Sequence, residues 1–341
     1  MFQIRCSKKR MLAGLIYKIT LISSFKRLLD TYFSKQIRIL AYHRVCDVAS
    51  HKNYLFDTDL ISASVAQFEW QVKYIKKNFD PITFSDYIAF LDGKMSLPKR
   101  PVIITFDDGF EDNYTNAYPI LKSHGIPATF FISTNYIDSK EVFWFDQLVY
   151  MVKSATKLTR IEAFDLNISS VDKIQAVRSV LGRVKELDND SRLEGIKEIV
   201  KKVGYSVPDG GYAESRPMTW DQVAEMSRNG MEIGSHSKSH PILSKVSDEL
   251  LKEELAGSKE VIESRTGHSC DVFCYPVGSK SICTEKVVNE IKKAGYRLGI
   301  SYMSGVNLPR DDCFRMKRLH IEEDIDKELF VSMLSMPRMF C

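Results

Sequence analysis

Four short stretches carry residue types that could do chemistry together. Asp107 and Asp108 stand side by side after the apolar run "VIITF", and His236 and His240 follow "MEI" within "GSHSKSH". Tyr42 and His43 follow "IRIL", and "CYPVG", Cys274 to Gly278, follows "VF". Two carboxylates at the end of a buried strand repel each other and resist desolvation, so the pair needs a cation nearby. Two histidines four residues apart can aim both imidazoles at one ion. One carboxylate then completes a two-histidine, one-carboxylate set with an open position for water. Such an ion neutralises one aspartate and leaves the other ionised to act as a base. Spacing alone does not say which aspartate does which. Taken singly, Asp-Asp-Gly reads as a turn and the histidine pair as coincidence. It is their shared placement after apolar strands that points to a metal site.

Those placements require a scaffold that gathers strand ends. Near-continuous apolar runs at residues 37–42, 102–106, 128–133, 231–235, 272–275, 297–301 and 316–321 predict strands covered on both faces, as in a parallel sheet. Helical patterns separate them. Ser64 with Gln67 and Thr219 with Gln222 have capping-box spacing. Residues 247–267 predict one helix ending at Gly267, and residues 285–295 predict another. Alternating strands and helices give an α/β fold, and about seven such units predict a (β/α)7-like distorted barrel. In barrels of this kind functional groups collect at the C-terminal strand ends. Residues 141–217 read as helices without strand signals, a helical insertion whose Phe143, Trp144 and Phe145 are expected in its own core. A sugar platform is the minority reading of those rings.

The chain has 341 residues, 44% hydrophobic and 27% charged, which excludes disordered and collagen-like classes. Its net charge of +4 is not gathered into a stripe, so no nucleic-acid partner is expected. Seven irregularly spaced cysteines argue against a disulfide framework. Cys270 and Cys274 read as buried thiols rather than a zinc site, since no second pair accompanies them. At the N-terminus a mostly apolar run at 11–25, interrupted by Lys18, is shorter than the roughly 20 residues a membrane span needs. The expected organisation is a helix over 1–35, lying against a membrane surface or the domain, followed by the catalytic domain over 36–341.

"TFDDG" (105–109), "SHSKSH" (235–240) and "FCYPVG" (273–278) resemble the signature motifs of the polysaccharide deacetylase family, also called the NodB-homology or carbohydrate esterase family 4 domain. "YHRV" (42–45), residues 117–134 and residues 218–247 extend the resemblance from about residue 36 to 318. It implies that Asp107 is the catalytic base and that Asp108, His236 and His240 are the metal ligands. "ILAYH" resembles the motif carrying the family's general acid, as in the circularly permuted branch that includes poly-N-acetylglucosamine deacetylases, so His43 takes that role. Tyr275, Pro276 and Val277 fall in the substrate and oxyanion motif. Where the family's third motif often carries an arginine that orients the base, Cys274 stands here. Arg318, at the end of the last strand, is the candidate replacement, and His320 is read as structural. His51, His124 and His268 are read as solvated or helix-end histidines.

The activity implied is hydrolysis of acetyl groups from N-acetylated sugars of a polysaccharide or glycan precursor. The implied cofactor is a divalent ion, zinc first and cobalt, nickel or iron as alternatives. An O-acetyl esterase on a decorated glycan and an inactive glycan-binding relative are the competing readings. A chain with no convincing export signal is expected in the cytoplasm, peripheral to the inner membrane if its N-terminal helix contacts lipid. None of these features encodes an oligomeric state.

Overall fold

In a computed structural model, which describes residues 2–20, 36–51, 53–155, 160–167, 172–206 and 211–340, the seven apolar runs form one closed ring of parallel strands. These are β1 (Arg38–Tyr42), β2 (Pro101–Phe106), β3 (Thr129–Ile132), β4 (Glu232–Ser235), β5 (Val272–Cys274), β6 (Leu298–Ser304) and β7 (Met316–His320). Each pairs with the next in sequence, and β1 closes the ring by pairing with β2 through Arg38↔Val102 to Tyr42↔Phe106 and with β7 through Leu40↔Leu319. The result is the expected (β/α)7 barrel.

Period-two alternation decides what enters the barrel. In β2, Val102, Ile104 and Phe106 join the large core between ring and helices, whereas Ile103 joins a separate cluster with Ile39, Phe131, Cys274, Ile300 and Met316. Thr105 and Asp107 continue the Ile103 face, and Arg318 and His320 continue the Met316 face. Gly234 allows the interior to close, because a Cβ there would lie 2.5 Å from the Phe131 ring.

Helix termini follow their predicted chemistry, with one difference. Thr219 and Gln222 form a full capping box at the helix Trp220–Arg228. Ser64 caps Val65–Asn78 through the Gln67 N–H, but the Gln67 side chain turns instead to the carbonyls of Glu323 and Ile325. The 247–267 segment is helical but carries a π-turn over Glu253–Gly257, then ends at Gly267 with φ 72°.

Between β3 and β4, ahead of the helix Trp220–Arg228, the described residues form the helices Trp144–Ser154, Lys173–Glu186 and Asn189–Val203 around a core of their own that includes Phe143, Val180 and Ile199. The absence of strands expected there is corrected: Arg160–Ile161 and Leu166–Asn167 pair antiparallel, with the turn made by Asp165 at φ 49°. Asp146 fastens this unit to the barrel, accepting from the Asp57 N–H at 2.9 Å and the Ser215 hydroxyl at 2.6 Å.

The helix Phe2–Thr20 buries Ala13 and Ile16, and the Ser332 hydroxyl of the helix Lys327–Ser335 donates to the Ala13 carbonyl at 2.9 Å. Met11 and Leu15 remain exposed. No helix among the described residues is long and apolar enough to cross a membrane. Residues 21–35 of the expected N-terminal helix lie outside the described residues.

Candidate active site

Asp107 and Asp108 leave β2 in different directions because the backbone turns sharply between them. Asp108 has φ 75°, a left-handed conformation costly for a non-glycine residue, and Gly109 follows at φ 95°. Asp107 therefore stays on the barrel-interior face of β2, while Asp108 swings toward the β4 loop. That loop is bent in the same way: Ser237 has φ 68° and His240 φ 56°. The Ser237 hydroxyl accepts from the His240 N–H at 3.0 Å, so the two histidines sit on one tight turn with ring centroids 4.8 Å apart.

Asp108, His236 and His240 converge. The Nε2 atoms of His236 and His240 lie 3.4 and 3.3 Å from Asp108 Oδ1, and all three residues are buried. His236 Nδ1 lies 2.8 Å from the Cys274 carbonyl, which can only accept, so Nδ1 carries the proton. A doubly protonated ring would donate from Nε2 to Asp108, whereas in the neutral ring Nε2 presents a lone pair to a carboxylate oxygen, a repulsion that a cation between them would relieve. The donor set and its separations fit an ion. Tetrahedral ligands at ~2.0–2.1 Å from zinc stand about 3.3–3.4 Å apart. Trp144 holds His240 from behind, its indole N–H donating to the His240 carbonyl at 2.8 Å.

Asp107 meets Arg318 in a bidentate pair, NH1–Oδ1 and NH2–Oδ2 both 2.7 Å, with neither side chain exposed. Burial pushes the Asp107 carboxyl up, but the Arg318 charge and hydrogen bonds outweigh it and hold the group below the usual carboxylate range. Asp108 is likewise held low, its histidine neighbours outweighing burial. The Cys274 thiol lies 3.7 Å from Asp107 Oδ1 and is pushed up by burial, so it brings no charge to the site.

His43 sits between β1 and a two-residue strand, Arg44–Val45, that pairs with Ile61–Ala63. The Ser62 hydroxyl accepts its N–H at 2.9 Å, and the Asn113 amide donates to its carbonyl at 2.7 Å. Its Nε2 lies 3.8 Å from Asp107 Oδ2, beyond hydrogen-bond range but on the same cavity. Tyr302 packs edge-on against the His43 ring and stacks on His320 at 3.8 Å between centroids, and the Arg318 guanidinium lies over the Tyr302 ring at 5.3 Å. Burial pushes His320 down to about 4, which keeps it neutral.

These groups open into a cavity of about 370 Å³. Val277 reaches its wall with φ 62°, and its N–H has no acceptor among the described residues. Tyr275 also lines it, but its hydroxyl donates to the Phe314 carbonyl at 2.7 Å. Pro276 shapes the turn, its carbonyl accepting from Gly278 at 2.7 Å, and stays off the wall. His51, His124 and His268 lie away from the cavity. Several wall residues were not anticipated as site residues, Tyr302 among them. Tyr302 continues the inward face of Leu298 and Ile300. Trp144, expected in the insertion core with a sugar platform as the minority reading, joins that core and the cavity wall at once.

Residues 94–299 match the sequence-family model for polysaccharide deacetylase. A poly-beta-1,6-N-acetyl-D-glucosamine N-deacetylase of Staphylococcus aureus (strain MRSA252) is 26% identical over 296 residues, covering 85% of this chain and 80% of that relative. The protein of the same description from strain MSSA476 is 30% identical over 181 residues, covering 49% of this chain and 62% of its own length. The solved structure of the Streptococcus pyogenes deacetylase PplD in complex with acetate has the same fold, with a TM-score of 0.58 and 18% identity over 88% of this chain and 98% of that one.

Proposed function

Because the chain belongs to the polysaccharide deacetylase family, we propose that it hydrolyses acetamido groups on N-acetylated sugars of a glycan or glycan precursor. In this reading Asp107 is the base, His43 the general acid, and Asp108, His236 and His240 the ligands of a divalent ion. The observation that carries it is the placement of an arginine-held carboxylate beside a buried Asp-His-His cluster in one cavity. An ion held there would polarise the acetyl carbonyl and lower the pKa of water, and the ligand separations favour tetrahedral zinc.

The chain's own groups supply the proton traffic. Asp107, kept ionised by Arg318, accepts a proton from the attacking water. Each of its oxygens keeps a lone pair free of the guanidinium, and Oδ2 faces His43. The free Val277 N–H is the donor suited to the developing oxyanion. His43, when protonated, delivers its proton to the departing amine nitrogen. Water is thus divided between acetate and the free amino sugar. Arg318 acts as the positioning residue for Asp107, which supports an active enzyme over an inactive relative despite Cys274.

The test is acetate release from N-acetylated oligosaccharides, lipid-linked sugars and O-acetyl esters, with metal content measured alongside. Asp107→Asn is expected to lower turnover by about 10²–10⁴-fold with metal retained. Retention of most activity by that folded, metal-loaded variant would sink the assignment, and release from esters alone would favour an O-acetyl esterase. The exposed Met11 and Leu15 near Arg10 and Lys18 support peripheral membrane contact by the N-terminal helix. Co-sedimentation with anionic vesicles, lost in Met11→Glu with Leu15→Glu, tests that part.

A further inference from the structure

The helix Lys173–Glu186 lines the cavity through Arg178, Leu181, Gly182 and Lys185. These are positions i, i+3, i+4 and i+7, so a single helical face runs along the wall. Gly182 is the unexpected member. It lies inside a helix, where glycine is less stable than alanine, and it is exposed. A Cβ built on it would meet nothing within 4 Å. The neighbouring helix offers the contrast: a Cβ on Gly195 would collide with the Phe164 ring at 1.8 Å, so that glycine serves packing. Nothing inside the protein demands Gly182. The space it leaves belongs to the cavity.

We infer that this helical face is a binding wall for the saccharide units flanking the one being deacetylated, with Gly182 as the point of closest approach. The inference rests on the proposed deacetylase reading and adds the substrate's extent and character. Arg178 and Lys185 offer only hydrogen-bond donors, which suit sugar oxygens. Leu181 and Trp144 give the apolar surface that the C–H faces of pyranose rings need. Asp57 and Asp59 line the same cavity, and the Lys185 charge acts on Asp57. Two cations are thus set against two carboxylates in the lining, a balance that suits a neutral, chain-like saccharide better than an anionic one. A single acetylated sugar would not reach the helix's full stripe.

Gly182→Ala and Arg178→Ala in the full chain test this with β-1,4- and β-1,6-linked N-acetylglucosamine dimers and pentamers. Gly182→Ala is expected to keep or raise the melting temperature by a few degrees. It should lower kcat/KM for the better pentamer about tenfold or more, and leave the dimer within twofold. Arg178→Ala should reproduce the selective loss. Equal effects on dimer and pentamer, or none on either, overturn the inference. If the wild-type chain releases acetate from no saccharide, that failure falls on the proposed activity, and the wall is judged by calorimetric titration with the same pentamers. Binding weakened about tenfold in Gly182→Ala then upholds it. Equal binding by wild type and variant, or no binding by wild type, overturns it.

Discussion

Replacing Arg318 by methionine removes the strongest of the interactions that keep Asp107 ionised. The guanidinium makes two charge-assisted bonds of 2.7 Å to the carboxylate, and both side chains are almost fully excluded from solvent. Removing one partner of such a buried pair costs about 3–5 kcal/mol, because the other charge is stranded. At ~1.36 kcal/mol per pKa unit, a loss of about 3 kcal/mol from the carboxylate form raises the Asp107 pKa by roughly two units. The acid limb of the pH–kcat/KM profile for acetate release should therefore climb by about two pH units in Arg318→Met. The sign for stability follows from the depressed pKa of folded Asp107. Its stabilising contribution is present above the unfolded carboxyl pKa and is lost as pH falls through the folded value. The stability gap between wild type and variant, read by urea denaturation, should thus be widest near neutrality and narrow toward acid. Arg318→Lys keeps a charge but not the fork, so it should fall between the two. An Arg318→Met protein with an unmoved acid limb and wild-type stability at neutral pH would refute the reasoning.

Chelation should abolish acetate release, and zinc or cobalt should restore it; full activity in protein shown to be metal-free would remove the ion from the proposal. Trp144→Phe deletes the N–H that donates to the His240 carbonyl, so metal affinity by competition with a chelating dye should drop about 10–100-fold, and unchanged affinity would count against Trp144 as a support. Burial pushes the Asp146 carboxyl from an ordinary 3.8 up to about 6. The native state thus holds this proton more tightly than the unfolded chain, and stability falls as pH rises from about 4 to 6, by about 3 kcal/mol in full. Asp146→Asn should flatten that part of the urea-midpoint curve between pH 4 and 7; an identical slope in both proteins would show that Asp146 does not titrate there.

The ring strands were legible because strands buried on both faces read as apolar runs, and all seven closed in sequence order. The candidate site was legible for a related reason: most of its residues follow those runs directly. Arg318 was harder. Nothing local marks it, and only the inward alternation of Met316, Arg318 and His320 aims it at Asp107. Tyr302 was missed because the run was ended at Ser301, although Leu298 and Ile300 already set the face it continues. Trp144's place in the insertion core could be read from its neighbours, but its bond to the His240 carbonyl, 96 positions away, could not. Pairing as short as Arg44–Val45 with Ile61–Ala63 leaves no periodic trace.

Asp108, Ser237, His240 and Val277 all hold left-handed backbone without being glycine. Each such residue costs of order 1–3 kcal/mol, sustained by the rest of the barrel. The consequence bears on how the protein could be improved. A selection for heat resistance alone would reward glycine or asparagine at these four positions, and at Asp108 and His240 those same changes would delete the proposed ligands. Selection for resilience and selection for turnover therefore pull on the same bonds in opposite directions. A thermostable variant of this chain should draw its gains from the outer helices and leave the four bends as they are.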